Sequence, residues 1–138
     1  MTRQLADFFA TYDVSRVIED AKTGGQSRFD GQAVIAPDTQ GAIYMETGHL
    51  ILNEQRFQAE RSYLWRANGP RIDVLFDDSR AFHDFDPQQG GQATEHLCGD
   101  DMYRGGYDVL DWPRWAVTWN VSGPRKDYRS VTWYVRQG

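Results

Sequence analysis

The chain has 138 residues, of which 40% are hydrophobic and 25% are charged. This length is typical of one domain, and the composition excludes a disordered or membrane-spanning protein. The net charge of −5 argues against a general nucleic-acid binder, which usually carries a strongly basic surface. We therefore predict a single domain over residues 1–138 that binds neither nucleic acid nor a membrane.

The cysteine content and the N-terminal sequence favour a reducing compartment. Cys98 is the only cysteine, so no disulfide bond forms within the chain. The first residues lack the apolar segment of a signal peptide. We expect a cytoplasmic protein and leave its oligomeric state open, with a dimer as one option.

The positive charges consist of 13 Arg and two Lys. Arginine forms planar, bidentate contacts with carboxylates and stacks on aromatic rings. Aromatic residues make up 14% of the chain. This combination predicts fixed arginine ion pairs in a core of wide, flat side chains.

Hydrophobic periodicity predicts one short helix followed by strands. Leu5, Phe8, Phe9 and Tyr12 have helical spacing, which favours an amphipathic helix that ends near Tyr12. The pattern then changes to a period of two, typical of β-strands. The predicted strands are residues 14–18, 28–36, 42–52, 57–65, 72–76, 80–85, 94–98, 102–109, 115–121 and 128–136. About eight to ten short strands separated by tight turns predict an all-β, antiparallel barrel.

Arg61 interrupts an apolar alternation on one predicted strand. Phe57, Ala59, Tyr63 and Trp65 share its face of the strand. If this face points inward, the guanidinium needs a partner, because an unpaired buried charge is costly. That partner is either Glu46 or an aspartate, or an anionic ligand held by bidentate contacts.

His83, His96 and Cys98 are the candidate catalytic residues. His96 and Cys98 have the i, i+2 spacing that places side chains on one face of a strand. With Asp86 or Asp101 they resemble a mixed metal-binding set, but no strong metal motif is present. Cys98 with a histidine base is a second option. Packing roles are favoured over both, so we predict no metal and no cofactor.

Seven motifs together resemble a small bacterial family of unknown function, family 6314, over residues 8 to 136. They are Phe29-x-Gly31-x-Ala33, Tyr44-x-Glu46-x-Gly48, Ala59-Glu60-Arg61-x-Tyr63-Leu64-Trp65, Phe82-His83-Asp84-x-Asp86, His96-Leu97-Cys98-Gly99-x-Asp101-x-Tyr103, Trp112-Pro113-Arg114-Trp115 and Gly123-Pro124-Arg125-Lys126-Asp127-Tyr128. The resemblance implies a compact barrel similar to lipocalins and fatty-acid-binding proteins. It implies no activity.

The leading hypothesis is a calycin-like barrel that binds a small aromatic or anionic molecule. Barrels of this size hold one ligand in the interior or at the mouth. Arg61 would hold an anionic group. The other predicted contacts are Tyr63, Trp65, His83, His96, Tyr103, Trp115 and Trp119.

Two alternatives remain open, so the sequence leaves enzymatic activity undecided. In the first, the protein is an isomerase, lyase or hydrolase in which His83 or His96 acts as acid and base near neutral pH. In the second, it is an interaction protein whose barrel is filled by tryptophans. A cavity that reaches Arg61 would separate the first two hypotheses from the third.

Overall fold

The structure is a computed structural model that describes residues 2–138. Apart from one four-residue 3₁₀ helix, Leu5–Phe8, its regular elements are antiparallel β-strands. In chain order they are β1 (Ala10–Asp20), β2 (Gly25–Pro37), β3 (Ala42–Leu52), β4 (Gln55–Asn68), β5 (Arg71–Phe76), β6 (Ala81–Phe85), β7 (Gly91–Gln92), β8 (His96–Cys98), β9 (Asp101–Asp108), β10 (Trp115–Ser122) and β11 (Asp127–Arg136).

The strands form one sheet that curls into a nearly closed barrel. Strands β1 to β6 form a meander, and β1 also pairs with β11, which leads through β10 to β9. The barrel closes at a seam between β6 and the β7–β9 region. There the Thr94 N–H donates to the Asp84 carbonyl over 3.1 Å, and the Asp84 N–H donates to Thr94 Oγ1 over 2.9 Å.

The architecture confirms the predicted all-β antiparallel barrel and is consistent with a calycin-like fold. The strand count is slightly higher than expected because the segment before β9 contains two strands of only two and three residues. No helix within residues 2–138 is long and apolar enough to cross a membrane.

The predicted N-terminal helix is wrong in type and length. The 3₁₀ helix ends at Phe8, and Phe9 already has extended backbone angles. From Tyr12 onward, burial follows a period of two through Val14 and Arg16. The helical spacing of the apolar residues arises because Phe8 and Tyr12 reach the same core from different elements. Backbone pairing of β1 with both β2 and β11 outweighs the marginal stability of a short helix.

Phe8 plugs one end of the barrel. Its fully buried ring makes edge-on contacts with Trp65, Phe85 and Trp115, at centroid distances of 5.5, 5.9 and 5.4 Å. The Tyr12 hydroxyl donates to the Phe8 carbonyl over 2.6 Å and fixes the turn. Because this end is packed with aromatic rings, an internal cavity has to open toward the other end.

Candidate ligand-binding site

The barrel contains a cavity of about 320 Å³. This volume is at the lower end of the range for small-molecule sites. The filled barrel of the third hypothesis is therefore wrong. The cavity is lined by all but one of the predicted ligand contacts, namely Arg61, Tyr63, Trp65, His83, Tyr103, Trp115 and Trp119.

Stacked aromatic rings form the floor of the cavity, on the side of the Phe8 plug. Trp115 stacks on Tyr134 with ring centroids 3.9 Å apart. Tyr107 stacks on Phe85 at 3.8 Å, and the Tyr107 and Trp115 rings lie within 12° of parallel. The floor is therefore flat and apolar, with tyrosine hydroxyl groups at its edges.

A second aromatic stack forms one wall. Phe82 stacks on Trp119 with centroids 5.0 Å apart and on Phe76 at 4.6 Å. The Trp119 indole lies flat against Gly105, where an added Cβ would come within 2.6 Å of the ring. Gly105 thus gives the indole room to lie against the sheet.

Two arginines share one buried carboxylate beside the cavity. Glu46 is 2% exposed and forms a bidentate pair with Arg16, with N–O distances of 3.0 and 2.7 Å. Arg61 approaches the same carboxylate, with its Nε 3.0 Å from Glu46 Oε2. We call these three residues the charge network. Its formal charge is +1, because two guanidinium groups face one carboxylate.

Strand register explains why the charge network forms. Glu46 on β3 lies directly opposite Arg61 on β4, and cross-strand neighbours place their side chains on the same face of the sheet. Arg16 reaches them from β1, and its Nε donates to Thr132 Oγ1 over 2.8 Å. The Arg16 guanidinium also lies 5.1 Å from the centre of the Phe29 ring.

A chain of hydroxyl groups extends the charge network into the cavity floor. Tyr44 donates to Glu46 Oε1 over 2.6 Å. The Tyr44 and Tyr134 oxygens are 2.8 Å apart. Because the single Tyr44 proton is used toward Glu46, Tyr134 is the donor in this second bond. The Tyr134 oxygen therefore keeps acceptor capacity, and Tyr134 is one of the residues that line the cavity.

The surroundings of the charge network fix its protonation. Burial raises the pKa of Glu46, but the hydrogen bond from Arg16 and the charges of Arg61 and Arg16 outweigh it, so the pKa lies below its ordinary value. Burial raises the pKa values of Tyr44 and Tyr134. At neutral pH the carboxylate is thus ionised and both tyrosines are neutral.

Arg61 faces the cavity, and its side chain is 44% exposed at the mouth. The inward orientation that the sequence left open is therefore the one present at Arg61, and of the possible partners it is Glu46 that Arg61 contacts. The arginine with the buried environment expected for Arg61 is instead Arg16, which is 6% exposed.

His83 is buried at the seam, and its Nε2 lies 2.7 Å from the Tyr107 hydroxyl. Its Nδ1 has no hydrogen-bond partner among the described residues. Burial lowers the pKa of His83 to about 3. The imidazole is therefore neutral at physiological pH and is a weak base, which disfavours the acid–base role considered for His83 near pH 7.

His96 and Cys98 are not among the residues that line the cavity. The His96 ring packs edge-on against Phe82 at 5.3 Å and against Phe76 at 5.6 Å, and it does not line the cavity. Cys98 is exposed. Within residues 2–138, no three His, Cys, Asp or Glu side chains are grouped so as to hold a metal ion. The His83 and His96 rings both pack edge-on against Phe82, with centroid distances of 4.5 and 5.3 Å, but among the described residues they do not form a metal-binding group with Cys98 or a carboxylate.

Tyr103 lies at the mouth beside charged side chains. Its hydroxyl accepts a hydrogen bond from Lys126 Nζ over 3.2 Å, and the same ammonium group is 3.5 Å from Asp101 Oδ2. Asp20, at the end of β1, is the only carboxylate among the described lining residues. Its Oδ1 accepts from the Lys22 and Thr23 N–H groups.

Sequence reasoning missed several lining residues, chiefly Arg16, Tyr44, Tyr107 and Tyr134. One available signal was the alternation along β11, where Tyr128, Ser130 and Tyr134 share the inward face. The pairing of β11 with β1, which brings Tyr134 toward Arg16, was not visible from local pattern.

Comparison with known proteins identifies the family but no activity. A search of curated proteins finds no match. The model of a family of unknown function, DUF6314, matches residues 8–136. The chain belongs to this family of unknown function, DUF6314.

Proposed function

We propose that the barrel binds one small, flat, aromatic anion whose charged group contacts Arg61. The observation that supports this proposal is the shared carboxylate. Glu46 neutralises only one of the two guanidinium groups within hydrogen-bonding distance of it. A ligand anion would supply the missing negative charge, and Arg61 offers a planar set of donors that suits a carboxylate.

The shape and lining of the cavity favour a flat ligand. Its floor and one wall are aromatic stacks, against which ring systems pack well. An engineered cavity of about 150 Å³ holds benzene, so 320 Å³ leaves room for about two fused rings and a substituent. A carboxylate on such a ring system would lie at the mouth beside Arg61, while the rings occupy the apolar interior.

Isothermal titration calorimetry with two ligands of the same shape tests the proposal. The probe is 2-naphthoate, and its uncharged control is 2-naphthamide. We expect the anion to bind at least about 10-fold more tightly, because charge-assisted hydrogen bonds contribute about 1.5–3 kcal/mol. Equal affinities, or no binding of either compound, would contradict the proposal. Native mass spectrometry of protein from its source cells would show whether an acidic aromatic compound co-purifies.

A further inference from the structure

We infer that the His83–Tyr107 pair is a second polar contact point in the cavity, which recognises an uncharged hydroxyl group at the end of the ligand remote from its anion. This inference rests on the proposed function and adds to it the class of ligand. That class is a hydroxylated aromatic acid, with its hydroxyl and carboxylate on opposite sides of the ring system.

The pair and the charge network belong to different walls. His83 is on β6 and Tyr107 is on β9, the strands that flank the seam. Arg61, on β4, lies at the mouth, where its side chain is 44% exposed. Tyr107 lies in the floor of the cavity, stacked on Phe85. A ligand anchored by its anion at Arg61 therefore directs its other end toward Tyr107.

The pair retains hydrogen-bonding capacity. A tyrosine hydroxyl offers one donor and two acceptor positions, and neutral imidazole offers one of each. The single bond between His83 Nε2 and the Tyr107 oxygen uses only part of this capacity. Both residues line the cavity, so the unused capacity of the Tyr107 hydroxyl is the part that a ligand can use.

The surroundings select an uncharged group. Burial raises the pKa of Tyr107 and lowers that of His83, so neither residue carries a charge at neutral pH. The pair is surrounded by aromatic rings: Phe85 stacks on Tyr107, and Trp119 lies edge-on to His83 with centroids 4.8 Å apart. A second ligand charge would lose its hydration there without a counter-ion, whereas a hydroxyl group would exchange its water contact for the Tyr107 oxygen.

Three ligands that differ only at the remote ring position test this inference by calorimetry. They are 2-naphthoate, 6-methyl-2-naphthoate and 6-hydroxy-2-naphthoate. With the wild-type protein we expect the hydroxyl compound to bind about 5- to 50-fold more tightly than the methyl compound. If the hydroxyl met no partner, its lost hydration would make it the weaker ligand. That order, or equal affinities, would overturn the inference.

Two variants assign the preference to a residue. Tyr107→Phe should remove the preference for the hydroxyl compound while 2-naphthoate still binds. Arg61→Gln should weaken all three ligands by a similar factor and keep the preference. A preference that persists in Tyr107→Phe would overturn the inference. If Tyr107→Phe does not fold, the wild-type series alone decides.

The same experiment separates this inference from the proposed function. If wild-type protein binds none of the naphthoates, the proposed function fails and the inference fails with it. If it binds 2-naphthoate but shows no preference for the hydroxyl compound, only the inference fails.

Discussion

Arg61 and Glu46 lie opposite each other on neighbouring strands, with Arg61 Nε 3.0 Å from Glu46 Oε2. The same carboxylate holds the buried Arg16 through two hydrogen bonds. Glu46 therefore has two roles, since it neutralises a buried arginine and positions a second one at the cavity mouth. A substitution at Glu46 is therefore expected to affect both fold stability and ligand binding, whereas a substitution at Arg61 should affect mainly ligand binding.

Glu46→Gln should strongly destabilise the fold. Removing one partner of a buried ion pair leaves the other charge uncompensated and costs about 3–5 kcal/mol. Urea denaturation monitored by tryptophan fluorescence measures the loss. The matched control is Asp30→Asn, which breaks the exposed pair with Arg28 and should cost no more than about 1 kcal/mol. Similar losses in both variants would show that the charge network does not hold the barrel together.

The stability of the wild-type protein should fall as the pH falls from about 6.5 toward 3. In the unfolded chain, His83 takes up a proton near its ordinary pKa of about 6.5, whereas in the folded protein burial lowers its pKa to about 3. Between these values the unfolded state binds more protons, so protonation favours unfolding by about 1.4 kcal/mol per pH unit.

His83→Gln should remove most of this slope above about pH 5, where few carboxylates titrate. Urea denaturation at several pH values gives the slope for each protein. The variant that controls for loss of a histidine is His49→Gln, because His49 is exposed. If both variants have the same slope, His83 is not the group responsible.

Gly105→Ala should disturb the cavity wall, whereas Gly106→Ala should not. A Cβ at Gly105 would lie 2.6 Å from the Trp119 ring, whereas the nearest atom to a Cβ at Gly106 is 3.7 Å away. Overpacking of this kind costs about 1–3 kcal/mol. We expect the loss in urea denaturation, a shifted tryptophan emission and weaker naphthoate binding for Gly105→Ala only. Equal behaviour of the two variants would mean that Trp119 has room to move.

The sequence predicted the barrel well because period-two alternation and tight turns are local signals. The same reading failed at the N-terminus, where Phe8 and Tyr12 have helical spacing but belong to a 3₁₀ turn and a strand. Local spacing does not show that β1 pairs with two neighbouring strands. This pairing makes the segment that begins at Ala10 a strand rather than a continuation of the helix.

The site was predictable only in part, for a related reason. Arg61 and its aromatic neighbours share one strand, so their common face could be read from alternation. The Arg16–Glu46 pair joins two strands that are not neighbours in the sheet, and the His83–Tyr107 bond joins two strands across the seam. Such contacts depend on how the sheet curls, which no local pattern encodes. His96 was predicted as a ligand contact, but its ring packs edge-on against Phe82 and Phe76 and does not line the cavity.

The most direct test of a ligand anion at Arg61 is the dissociation constant of 2-naphthoate for wild-type protein, Arg61→Gln and Arg28→Gln, measured by calorimetry at one salt concentration. Within residues 2–138 the one ion pair of Arg28 is the exposed pair with Asp30, so its change controls for the loss of one positive charge. We predict that Arg61→Gln weakens binding by about 10- to 100-fold, while Arg28→Gln binds as the wild type does. Unchanged affinity in a folded Arg61→Gln variant would contradict the proposal that Arg61 holds the ligand.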